Sequence, residues 1–280
     1  MPLVATDEIV GPAARAGLGA GAFNVIQIEH AQAIVAGAQT ADAPVILQLS
    51  ENAVRYHGAL AAIGRAVVEV ARAARVPVAV HLDHATEPAL VREAVGLGFG
   101  SVMFDASGLP YDGNVAATAA VVADCHAHGV WVEAELGEVG GKDGVHAPGA
   151  RTDPAEAAAY VAATGVDALA VAVGTSHAMV VKEAVVDLRL IAALRAAVPV
   201  PLVLHGSSGV PEADLTRVVE AGLTKVNIAT HLNVAYTRAI RDHLASHPEV
   251  VDPRRYVAAA RDAVAREVAR LLKLVRATAS

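Results

Sequence analysis

The chain has one cysteine, Cys125, in 280 residues, which excludes an internal disulfide and fits a reducing compartment. Cys125 falls in a helix-like segment and reads as a buried thiol without a catalytic partner. Positive charge is also scarce. Twenty-two Lys and Arg against 29 Asp and Glu give a net charge of −7, which argues against a protein that neutralises a nucleic-acid backbone. A small anionic substrate remains open, held by local amides and lysines. No apolar run reaches the roughly 20 residues of a membrane span, and MPLVATDEIV lacks a basic stretch followed by a long apolar one. The expectation is a soluble, cytoplasmic protein with neither a nucleic-acid nor a membrane partner.

What the chain does have is alternation. From Gly21 onward, short β-like runs alternate with longer helical patterns, as in βα units around a parallel sheet, and no linker divides them. Strands are expected near Ala22 to Val25, Pro44 to Leu49, Val76 to Leu82, Ser101 to Phe104, Val130 to Leu136, Ala168 to Val173, Pro201 to Leu204 and Lys225 to Ile228. Helices are expected from Glu29 to Ala41, His57 to Arg75, Asn114 to His128, Asp187 to Ala197, and after Thr86 and Pro211. This predicts an α/β protein, a single (β/α)8 TIM barrel over residues 1–280, with extra C-terminal helices from His231 to Ala277 interrupted at Pro248 and Pro253. Two loops break the rhythm, 137–151 and 176–186. The first, GEVGGKDGVHAPGAR, is too long for an ordinary connection and reads as a mobile active-site loop or as a surface excursion.

Most of the runs end in a residue with chemistry: Asn24, Ser50, Asp83 with His84, Asp105, Glu135, Ser176 with His177, His205 and Asn227. A barrel gathers such ends at one mouth. His84, His177 and His205 together have the make-up of a catalytic zinc shell with an open position, although any one alone is more often structural. Asp83, beside His84, either exchanges a proton with a substrate hydroxyl or orients a histidine. Strand alternation puts Glu133 and Glu135 on one face. Buried carboxylates such as these and Asp105 need a metal, a cation or histidines, or else form structural ion pairs. LHGSSGV and KVNIAT read as a phosphate cradle or as two ordinary turns. Gly17, Gly19 and Gly21 precede a strand instead of following one, which excludes a dinucleotide fingerprint.

At HLDH, VEAELGEVGG, GTSH, LHGSSG and KVNIAT, in that order, the chain resembles the class II, metal-dependent ketose-bisphosphate aldolases that cleave fructose or tagatose 1,6-bisphosphate. The resemblance runs from MPLV to DPRRY and AARDAV. It implies a lyase of carbohydrate metabolism, with Zn2+ held by His84, His177 and His205 and with Asp83 as the catalytic acid/base. Asp105 and Glu135 match the acidic residues of an alternative metal position. Asn24, Ser50 and Asn227 match substrate contacts, and Gly206, Ser207, Ser208 and Thr230 match the phosphate cradle, which a monovalent cation (Na+ or K+) supports. The implied partner is a sugar phosphate, and the implied assembly a homodimer or homotetramer. In the implied reaction zinc acts as a Lewis acid during C3–C4 cleavage, and no Schiff-base lysine is needed. A second acid comes from the mobile loop, where Asp143 in GGKDG is the candidate.

One departure bears on substrate identity. Where the family carries a glycine and a Pro-Tyr-Lys-Gly-type stretch after the zinc histidine, this chain has Ala178, Met179, Val180, Val181 and Lys182, with the phosphate-binding lysine displaced by one position. An aldolase for a modified sugar phosphate therefore stays open, as does a barrel that binds a phosphorylated ligand without cleaving it.

Overall fold

A computed structural model describes residues 2–136, 151–175 and 184–277. Its strands are β1 (Ala20–Asn24), β2 (Val45–Ser50), β3 (Val78–Ala85), β4 (Ser101–Phe104), β5 (Trp131–Glu135), β6 (Ala168–Ala170), β7 (Leu202–Leu204) and β8 (Leu223–Ile228). All pair in parallel in chain order, and β8 closes on β1, which makes the expected barrel. Helix α1 (Asp7–Ala16) precedes the barrel. Around it lie α2 (Ile28–Ala41), α3 (Glu51–His57), α4 (Leu60–Arg72), α5 (Pro88–Gly96), α6 (Tyr111–His126), α7 (Pro154–Thr164), α8 (Leu188–Ala197) and α9 (Glu212–Ala221), followed by α10 (Thr230–Ser246) and α11 (Pro253–Val275).

Parallel strands covered on both faces read as unbroken apolar runs, and two kinds of core account for this. Phe23, Leu47, Leu82, Val132 and Leu204 face the helices in the main outer core. At one end of the barrel interior, Ala20, Ala22, Ile46 and Ala79 pack against Ile9, Val10 and Ala13 of α1, which closes the end where the strands begin. Side-chain caps start several helices, from Ser50 to α3, Asp153 to α7, Asp187 to α8 and Asp252 to α11.

The elements depart from expectation in several places. β3 extends through HLDH to Ala85, and the helix expected from His57 to Arg75 is α4, which starts only at Leu60, after a separate α3 that stops at Gly58 in the left-handed region (φ 78). Helices α1, α3 and α7 were not anticipated. Among the described residues, no helix is long and apolar enough to cross a membrane.

Candidate active site

A β-bulge sets the geometry of the mouth. Leu82 pairs with Val102 and Ala85 with Phe104, so Asp83 and His84 together stand opposite Met103. Strict alternation would send these two side chains to opposite faces. His84 instead takes a left-handed backbone (φ 52), and the extra residue lets both serve one site. Donor atoms of Asp83, His84 and His205 all lie within 4.8 Å of one another, and the two imidazoles sit edge to face with centroids 4.7 Å apart.

Each member of this cluster is held from behind. His84 Nδ1 is 2.8 Å from Asp105 Oδ2, while Ser107 donates to Asp105 Oδ1 from its N–H (3.2 Å) and hydroxyl (2.6 Å). Asn24 Nδ2 donates to Asp83 Oδ2 at 2.9 Å, and Gln48 Nε2 donates to Asn24 Oδ1 at 3.1 Å. Asp83 Oδ1 is buried with no hydrogen-bond partner among the described residues. His205 Nε2 lies 3.0 Å from Glu133 Oε1, and its Nδ1 lies 3.1 Å from Glu135 Oε2. Thr175, two residues before His177, donates its hydroxyl to the His205 carbonyl at 2.6 Å and so joins the ends of β6 and β7.

Electrostatics favour a charged, polarised pocket. Burial would raise the Asp83 pKa, but His84, His205 and Lys225 outweigh it and hold the carboxyl well below its ordinary range. Burial would likewise lower His205, yet Glu133 and Glu135 hold it up at about 9. Below the mouth, His81 falls to about 3, through burial first and Lys225 second, so it is a neutral imidazole hydrogen-bonded to Ser101. Nitrogen donors from two elements, a carboxylate oxygen without a partner, and carboxylates behind both histidines are the make-up of a divalent metal centre.

The anticipated phosphate cradle lies beside this cluster. Gly206 is left-handed (φ 67) and opens a 3-10 turn over Ser207–Gly209. The Ser207 hydroxyl donates to the Asn227 carbonyl, and His231 N–H, in the first turn of α10, donates to the Ser208 hydroxyl at 3.2 Å. Thr230 begins α10, so the anticipated cradle brings together serine hydroxyls and a helix N-terminus, groups suited to an anion. Ser50 ends β2 beside Asp83 and accepts from Ala53 N–H as the cap of α3. His177, Asp143 and Lys182 lie outside the described residues, as do residues 137–150 of the long loop and the altered stretch from Ala178.

Sequence reasoning passed over several supporting residues. Gln48 aligns Asn24, and Glu51 accepts from Thr86 N–H (2.6 Å) and hydroxyl just past His84. Lys225 makes a buried ion pair with Glu133. The alternation of KVN and EAE, which puts Lys225 and Asn227 on one face and Glu133 and Glu135 on another, was the available signal.

Comparison with known proteins agrees with the barrel fold. The family model for "Fructose-bisphosphate aldolase class-II" matches residues 4–280. A fructose-bisphosphate aldolase of Geobacillus stearothermophilus is 40% identical over 268 residues, covering 94% of this chain and 93% of its own. One from Staphylococcus aureus (strain COL) is 40% identical over 268 residues and 94% of each chain. The crystal structure of the YdjI aldolase from Escherichia coli K12 superposes with a TM-score of 0.86 at 30% identity, over 97% of both chains.

Proposed function

Because the chain belongs to the class II fructose-bisphosphate aldolase family, whose members are lyases, we propose that it cleaves fructose 1,6-bisphosphate reversibly to dihydroxyacetone phosphate and glyceraldehyde 3-phosphate. Tagatose 1,6-bisphosphate is the nearest competing substrate. The observation that carries the reading is the cluster of Asp83, His84 and His205 at the mouth, because an acid/base group stands within reach of the same point as two metal-ligating nitrogens.

In this reading His84 and His205, joined by His177, hold a divalent ion, with Zn2+ as the expected species and Asp105 and Glu135 as an alternative set of oxygen ligands. The ion supplies Lewis acidity toward the carbonyl and the adjacent hydroxyl of the ketose. Asn24 fixes one oxygen of Asp83, leaving Oδ1 to take the C4 hydroxyl proton as the C3–C4 bond breaks. Ser207, Ser208 and the first turn of α10 bind a phosphate, supported by a monovalent cation, and Ser50 and Asn227 contact the sugar. Lys182 adds charge near the phosphate, and Asp143 returns a proton to the dihydroxyacetone phosphate half. We place the protein in the cytoplasm, as one domain over residues 1–280 that assembles as a homodimer or homotetramer.

The test is cleavage by purified protein, stripped with a chelator and then reloaded with zinc. Activity should vanish and return, and Asp83→Ala should lower kcat by about 10²- to 10⁴-fold. Zinc-replete protein that cleaves no ketose phosphate would end the substrate assignment. The stretch from Ala178 to Lys182 favours a second reading, an aldolase for a different sugar phosphate, which kcat/KM across a substrate panel separates from the first. A binding barrel without catalysis has no use for Asp83 in this position.

A further inference from the structure

The barrel buries a lysine for which the proposed chemistry has no use. Lys225 and Asn227 alternate along β8, and the register shift that pairs Val203 with Lys225 sets both toward the barrel axis. Lys225 is fully buried. Its Nζ lies 2.8 Å from Glu133 Oε2 and donates to Asn227 Oδ1 at 2.8 Å, while the other Glu133 oxygen lies 3.0 Å from His205 Nε2. A single ammonium group therefore links a residue of the metal centre to one at the substrate side.

Packing does not explain this pair. A buried ion pair is costly to desolvate, and apolar side chains of similar volume often replace one without loss of stability. The neighbouring interior positions Ala168, Ala170 and Val203 show that this barrel accepts apolar residues there. What an ammonium adds is direction, since it only donates. It requires an oxygen from each partner. With one oxygen held by Lys225, Glu133 presents the other as an acceptor to Nε2–H of His205, so the proton that a metal would displace from that ring is the one on Nδ1, which lies 3.1 Å from Glu135 Oε2. With Oδ1 turned to Lys225, Asn227 offers its amide NH2 to the mouth.

We propose that Lys225 is a positioning residue: through Glu133 it makes His205 bind metal by Nδ1, and through Asn227 it makes the substrate side a donor to sugar oxygens. The inference rests on the metal-dependent reading above.

The direct test uses the intact wild-type protein. NMR of zinc-loaded, 15N-histidine-labelled protein should show His205 bound through Nδ1 and protonated on Nε2, and zinc on Nε2 would overturn the proposal. A second test compares Lys225→Met with the double variant Lys225→Met/Glu133→Leu, by zinc competition against a chelator. Lys225→Met should lower zinc affinity by about 10- to 100-fold and raise KM at saturating zinc. The double variant removes the unpaired charge, so the metal-free protein should regain its unfolding midpoint while zinc affinity stays low. A double variant that binds zinc as tightly as wild type assigns the pair to stability alone and overturns the proposal. Wild-type protein that takes up no divalent ion would instead end the metal-dependent reading, and this inference with it.

Discussion

Asp105 and His84 are held together at 2.8 Å although His84 sits in a left-handed conformation that β-strands rarely use. The carboxylate takes Nδ1 and so commits the imidazole to present Nε2. Its other oxygen is fixed by Ser107, which makes Asp105 a rigid backing for a strained imidazole.

Asp105→Asn should keep the fold and lower divalent-metal affinity by about 10- to 100-fold, because the carboxamide is a weaker acceptor for the imidazole N–H. Titration of the stripped protein against a metal-binding dye measures this. Unchanged affinity would mean that the bulge alone aims His84.

Glu51, the first residue of α3, supports the same turn. Its buried carboxylate accepts from Thr86 N–H at 2.6 Å and from the Thr86 hydroxyl at 3.0 Å, and Arg55 pairs with it from the outside. Glu51→Ala should cost about 1.5–3 kcal/mol in urea unfolding, the usual range for hydrogen bonds to a charged group, and should also weaken metal binding. A stability loss without any change in metal affinity would separate Thr86 from the placement of His84.

The sequence showed the eight strands in order because a strand buried on both faces leaves a short apolar run, as Ser101 to Phe104 and Leu202 to Leu204 do. It hid the end of β3, since Asp83 and His84 interrupt the apolar run by which a strand covered on both faces is read. Helix α3 has only seven residues, too few to show a helical period, and α1 carries Gly11 and Pro12 within a short span. At the site, Asp83, His84 and His205 were legible as strand ends. The Lys225–Glu133 pair was legible only by halves: alternation sets each side chain on the face of its strand that it uses, but nothing local says that β8 meets β5 across the barrel. The bulge that turns His84 is a backbone event without a glycine to mark it.

Gly37 lies inside α2, where glycine costs about 1 kcal/mol relative to alanine, so its presence needs a cause. A Cβ there would sit 2.5 Å from the Ala265 carbonyl oxygen and 2.7 Å from Val268 of α11. Backbone cannot rotate away, and overpacking costs about 1–3 kcal/mol. Gly37→Ala should therefore lower stability despite its better helix propensity. A higher thermal midpoint in the variant would show that α11 yields at this contact.

Glu267 ties the C-terminal helices to the loop side of the barrel. Arg270 Nε donates to it at 2.9 Å, His231 approaches it from α10, and Arg270 also reaches Glu212 of α9 at 2.5 Å. Hydrogen bonds from Arg270 and then His231 hold the Glu267 pKa at about 2 against an ordinary value of 4.5. A carboxylate with a depressed folded pKa contributes stability that is present above the unfolded value and is lost as pH falls through the folded one. Wild-type protein should thus be more stable than Glu267→Gln at pH 7, and the difference should shrink as pH falls from about 4.5 toward 2. Urea unfolding of both proteins across that window gives the difference directly, and a gap that stays constant with pH would remove Glu267 from the clasp. Because His231 N–H also donates to Ser208, loosening this clasp should reach the proposed phosphate cradle as well, as a higher KM with kcat unchanged.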